Sequence, residues 1–278
     1  MKKDHFSYCA DTLDEITARD LAVKQGTINL EIGSMDNTAA AVLSRFQGEQ
    51  IHFSAALPKM DENCARQLLN LGGSGQLSID WLRAQDHLPN LERSTFLALT
   101  QYADSVDMDG FGDINTNEAD VLSKFRGTQL LVYVNTMSEN TAKQIAMAET
   151  DLLMVSISQL DLLVATALST TAASDELQVV VENDALSTDS ATALSLYQGN
   201  TLGVQCKSMP SSEAMRQLSR FPGHLVVYMP AVTPEIARVL AESGGTLELF
   251  CDAIPNANVY QILSTSRREV TNLDSLFS

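Results

Sequence analysis

The segment with the strongest claim to chemistry is Asp107–Glu118, read as Asp-Met-Asp-Gly-Phe-Gly-Asp-Ile-Asn-Thr-Asn-Glu. Aligned with a calcium EF-hand loop, it puts Asp107 and Asp109 at the first and third positions. Gly112 then falls at the sixth, Ile114 at the eighth and Glu118 at the twelfth. Phe111 stands where the loop needs a side-chain oxygen. A second explanation covers most of the same residues. Val106 and Met108 alternate as a strand would, Ile114 closes the unit, and Asn115-Thr-Asn-Glu118 is close to a helix capping box. Calcium at Asp107, Asp109 and Glu118 is therefore the subordinate expectation, and the primary one is no metal and no cofactor. His52, with Glu31 before it and Asp80 after it, is the other candidate. One histidine among scattered carboxylates reads better as solvated surface than as an acid–base site. HExxH, CxxC, GxSxG and phosphate-loop patterns do not occur in the sequence. The expectation is a protein that is not an enzyme.

The elements that would carry these residues repeat. A helix mark, usually Ala-x-x-Leu, occurs at Ala18/Leu21, Ala40/Leu43 and Ala65/Leu68, then more weakly at Ser94/Leu97. It continues at Ala119/Leu122, Ala142/Ile145, Ala165/Leu168, Ala191/Leu194, Ala214/Leu218 and Ala237/Leu240, and fades at Val259/Ile262. The spacing runs from 22 to 29 residues, longest around Trp81. Between the marks lie alternating strands such as Leu202-x-Val204-x-Cys206, Leu225-x-Val227-x-Met229 and Leu247-x-Leu249-x-Cys251, the last closing on Ile254. Residues three or four apart share a helix face, and strict alternation gives a strand one buried face. Asn115, Ser187 and Ser211 suggest helix starts, and Pro234 a first turn. Gly26, Gly48, Gly127, Gly199, Gly223 and Gly245 suggest stops. A fixed period of this size is the signature of a solenoid. A single helix crossing between successive strands forces those strands to be parallel.

The expected fold is thus α/β: a parallel-strand solenoid of about ten strand–helix repeats. It is expected to form one domain over residues 1–278, with probable caps at 1–14 and 256–278. The pattern resembles the leucine-rich-repeat superfamily over nearly the whole chain. It is carried by the repeated Ala-x-x-Leu, Gly and Leu-x-Leu marks and by Leu130-Leu-Val-Tyr-Val-Asn135-Thr-Met137. Where that family places an asparagine, this chain has Gly33, Ser158, Lys207, Pro230 and Asp252. The resemblance implies a solenoid whose strand face meets a partner.

Composition narrows the partner. The formal net charge is −17, from 35 acidic and 18 basic residues. Such a surface repels phosphates, which argues against nucleic acid and anionic membranes. No apolar run approaches the roughly 20 residues of a membrane helix, and Met1-Lys-Lys-Asp-His-Phe is no secretory leader. Four cysteines without paired spacing read as free thiols in a reducing, cytoplasmic setting.

Residues between the buried strand positions point outward and align from repeat to repeat. The early repeats offer Asn29, Glu31, His52, Ser54, Ser78, Asp80, Asp107 and Asp109, a polar and acidic set. The later ones offer Leu131, Tyr133, Met154, Ser156, Val180, Gly203, Gln205, Val226, Tyr228, Glu248 and Phe250, a largely apolar set, of which Tyr133, Met154, Val180, Val226, Tyr228 and Phe250 are of the kind partners use. The functional expectation is a non-catalytic scaffold that binds a protein or peptide there. The alternative is a structural module that forms a homo-oligomer through this face or the end repeat Val259–Leu276.

Overall fold

In a computed structural model, residues 5–172, 175–242, 244–253, 257–266 and 269–271 are described. The chain divides into two compact units: residues 1–111 with 125–130, and residues 112–124 with 131–278. In the first unit the order is β1 (His5–Leu13), α1 (Glu15–Ala22), β2 (Thr27–Met35), α2 (Asn37–Leu43) and β3 (Gln50–Phe53). It continues with α3 (Glu62–Gly73), β4 (Leu77–Arg83), α4 (Ala84–His87), α5 (Arg93–Thr100) and β5 (Ala103–Asp107). Next come α6 (Thr116–Leu122) and β6 (Gln129–Val134), then α7 (Glu139–Ile145), β7 (Leu152–Ile157), α8 (Leu162–Ser169), β8 (Glu176–Val181) and α9 (Thr188–Leu194). The chain goes on through β9 (Thr201–Cys206), α10 (Ser212–Leu218), β10 (His224–Met229), α11 (Pro234–Ala241), β11 (Thr246–Cys251), α12 (Ala257–Ser264) and β12 (Glu269–Val270).

The fold is α/β, and within each unit the strands follow one another in chain order across the sheet. Neighbouring strands are parallel in both units, as single crossover helices require. Leu202, Leu225 and Leu247 form one row of the register, and Val204, Val227 and Leu249 the next. All six are wholly buried, as strands with one core-facing side demand. Against them lie the small helix residues. Ala18, Ala40, Ala65, Ala119, Ala142, Ala165, Ala191, Ala214 and Ala237 are each 0% exposed. An alanine there lets helix and sheet approach closely.

The helices begin by one device. Asp14, Asp36, Asp61, Ser138, Asp161, Ser187, Ser211 and Thr233 each accept a hydrogen bond from the backbone N–H three residues on. Asn115 does so within a complete capping box closed by Glu118. They end differently from the expectation of glycine stops. The residues after α2, α6, α9 and α10 are serines in right-handed conformation: Ser44, Ser123, Ser195 and Ser219. Each hydroxyl donates to the carbonyl three residues back, at 2.7–2.9 Å.

The repeated glycines do another job. Phe46-x-Gly48, Phe125-x-Gly127, Tyr197-x-Gly199 and Phe221-x-Gly223 recur as aromatic-x-Gly, and the aromatic rings are 0–4% exposed. A Cβ on Gly127 would stand 2.4 Å from the Phe125 ring and 2.2 Å from the Asp104 carbonyl oxygen. The same crowding occurs at Gly48, Gly199 and Gly223. These glycines make room for a buried ring. Among the six expected stops only Gly245 takes a left-handed φ, of 82°.

Two other expectations shift. Residues 5–13, expected within a cap, form β1, with Phe6 and Tyr8 paired in register with Ile28 and Leu30. In α5 the mark Ser94/Leu97 is misplaced: Ser94 is exposed, and Phe96 and Leu99 are the wholly buried residues. The long repeat around Trp81 accommodates the extra helix α4. Ile254, Asn256 and Leu276, used in the expected end repeat and cap, lie outside the described residues.

Candidate functional site

On the strands of the second unit, three outward rows can be followed through the register. The first runs Leu152, Glu176, Thr201, His224, Thr246 and the second Met154, Gln178, Gly203, Val226, Glu248. The third runs Ser156, Val180, Gln205, Tyr228, Phe250. The expected anchors separate along these rows. Val226, Tyr228 and Phe250 come together on β10 and β11, whereas Val180 and Met154 lie on β8 and β7 and Tyr133 on β6. All but Tyr228 are half-buried.

The strongest feature is an aromatic pair. Tyr228 and Phe250 are register partners, and their rings stack with centroids 4.3 Å apart and planes 8° from parallel. Adjacent strands lie about 4.8 Å apart, so two aromatics in one row stack face to face without leaving their strands. Tyr228 keeps 41% of its surface exposed, which is unusual for so large a side chain held in a sheet. A shallow cavity of about 140 Å³ at the strand ends is lined by the pair with Gln205, Lys207 and Asp252.

The apolar row is interrupted by residues that sequence reasoning passed over. Glu176, Gln178 and His224 all point outward, and Gln178 donates to Glu176 at 2.6 Å. His224 Nδ1 meets Thr246 Oγ1 at 2.7 Å, and its Nε2 lies 3.6 Å from Glu248. Extending each period-two pattern one position backwards would have found Glu176 and His224. Ser156, expected outward, is buried and donates to Glu182 at 2.9 Å. Burial holds the Tyr228 hydroxyl above its ordinary pKa, and the nearby carboxylates of Glu248 and Glu176 push it further the same way. The face is therefore aromatic and acidic together.

In the first unit the polar groups on the strand face bond one another. His52 Nδ1 lies 3.1 Å from Asn29 Oδ1, and its Nε2 2.5 Å from Asp80 Oδ1. The partner on β2 is Asn29; Glu31 stays exposed. Asp80 also accepts the N–H of Ala55 at 3.3 Å, a non-glycine residue at φ 76°. Both ring nitrogens of His52 are thus engaged, and the arrangement ties three strands as a strut.

Two of the three calcium candidates accept backbone N–H groups. Asp107 accepts the Asp109 N–H at 2.9 Å, while Glu118 accepts the Asn115 N–H at 3.0 Å. Phe111 is buried, with the Arg93 guanidinium 3.8 Å from its ring centroid. Among the described residues no three His, Cys, Asp or Glu side chains gather as a metal site would need. No helix among them is long and apolar enough to cross a membrane. Comparison with protein-family models, with curated proteins and with solved structures finds no match.

Proposed function

We propose that this chain is a non-catalytic recognition scaffold whose strand face in the second unit binds a protein or an extended peptide. One observation carries the reading: the stacked Tyr228–Phe250 pair, aligned in one row and left 41% exposed at Tyr228. Tyrosine is over-represented at the centres of interfaces because it combines a large rigid contact area with a hydroxyl for hydrogen bonding. Stacked strands hold such anchors with little freedom to lose on binding, which raises affinity without added area. Val226 and Val180 extend the contact, and Met154 and Tyr133 lie on the strands beyond. The resemblance to leucine-rich repeats points to the same use of the strand face.

The test is affinity capture from cell extract by the intact chain and by a variant carrying Tyr133→Ala, Tyr228→Ala and Phe250→Ala. A protein retained by the first and lost by the second is the expected result. Identical captures would contradict the proposal. Self-association is the second reading, favoured by the first unit's outermost strand. On β1 Phe6 and Tyr8 remain half-exposed, and Ile16 on α1 and Val23 just after it are 75% and 72% exposed. A solution mass that rises with concentration would mark that reading.

A further inference from the structure

Charge is sorted unevenly in the second unit. Its described lysines and arginines, Lys207 apart, lie on helices or in the turn just after one: Lys124, Lys143, Arg216, Arg220 and Arg238. Several neutralise helix carboxylates, as in Lys124–Asp120, Lys143–Glu139 and Arg216–Glu213. The strand face has no such balance. Glu176 and Glu248 point outward there, and among the described residues neither forms an ion pair with a lysine or arginine. Asp252 adds a third carboxylate at the strand ends, against the single Lys207.

The position of Glu248 is informative. It stands two residues before Phe250 on β11 and opposite Val226, so its carboxylate borders the aromatic row. Glu176 borders the same face from β8. An apolar segment laid here would strip water from these carboxylates and return no hydrogen bond in exchange. An acidic or phosphorylated segment would add repulsion. A cation meets both requirements at once: the ring faces attract it, and the carboxylates accept its hydrogen bonds. A guanidinium fits best, being planar, weakly hydrated and able to stack while donating in its plane.

We infer that the segment recognised by this face is cationic, an extended stretch of chain presenting arginine, or less tightly lysine, to the Tyr228–Phe250 rings with Glu248 and Glu176 as its hydrogen-bond acceptors. The inference rests on the recognition reading above and gives its partner a chemistry. It also assigns roles: the aromatic pair supplies the platform, and the two glutamates select the charge.

The test is selection from a displayed library of random peptides on the full chain, followed by fluorescence anisotropy with the enriched sequences. Three variants are compared: Tyr228→Ala with Phe250→Ala, Glu176→Gln with Glu248→Gln, and Glu139→Gln on α7 as a control for lost charge. Enriched peptides should contain arginine or lysine. Their affinity should fall about tenfold or more in the first two variants and stay within about twofold in the third. Replacing the arginines of an enriched peptide by citrulline should cost a similar factor. Peptides without a cation that still depend on Tyr228 and Phe250 would overturn the inference and leave the recognition reading standing. Binding indifferent to Tyr228 and Phe250, or no enrichment at all, would overturn both.

Discussion

The strand faces of the two units are built on the same repeat and differ in what they leave exposed. In the first, Asn29, His52 and Asp80 bond across three strands, and Asp80 goes on to hold the strained turn at Ala55. Thr12 and Ser34 pair similarly, at 2.9 Å. Those groups satisfy one another, and Glu31 stays exposed beside them. In the second, the row around Tyr228 and Phe250 exposes aromatic surface, and Glu176 and Glu248 have no lysine or arginine partner among the described residues. A parallel repeat fold specifies its interior tightly and its outward rows hardly at all. Function can therefore occupy one stretch of a solenoid while another stretch of identical architecture stays structural.

The comparison predicts that equivalent outward substitutions have different consequences. His52→Ala removes hydrogen bonds to two neighbouring strands and should lower stability by about 1–2 kcal/mol in urea denaturation. Tyr228→Ala should cost less than about 1 kcal/mol, since its exposed ring gains chiefly from one stacking partner. Equal losses at the two positions would erase the distinction.

A smaller effect sharpens it. The helix caps of the first unit include Asp14 and Asp61, whose carboxyls are held below the ordinary value, first by the backbone N–H of Thr17 and of Cys64 respectively. A lowered folded pKa contributes stability that is complete above the unfolded value and is lost as pH falls through the folded one. Four caps in the second unit, Ser138, Ser187, Ser211 and Thr233, are neutral and have no such dependence. Amide protection, corrected for the intrinsic exchange rate at each pH, should therefore be lost in α1 and α3 before α9, α10 and α11 as pH drops below about 4. Simultaneous loosening would count against the assignment of those caps.

Much of the fold was legible because its signals are periodic. Alanine and leucine at helical spacing, and alternating aliphatics between them, fall on wholly buried positions in most repeats. The failures are physical as well. Ser94 carried the mark's spacing without its burial, because α5 turns Phe96 inward instead. The strand β1 was passed over because Phe6, Tyr8 and Ala10 alternate in a segment with no helix mark before it. The glycines were read as stops because glycine is permissive about φ. Gly48, Gly127, Gly199 and Gly223 instead lie against an aromatic ring two residues back, and the recurring aromatic-x-Gly was there to be read. Of the candidate site, Val226, Tyr228 and Phe250 were found from alternation alone. Glu176 and His224 were missed because each sits at the first strand position, where alternation starts and a boundary error conceals it.

The central claim is that recognition belongs to the outward rows of the second unit. A photo-crosslinking residue in place of Val226 on β10, compared with the same residue in place of Glu31 on β2, tests it most directly. In cell extract under illumination, the account predicts a defined adduct from position 226, suppressed by excess arginine-bearing peptide from the library, and none from position 31. An adduct from position 31 alone, or equal adducts from both, would contradict it.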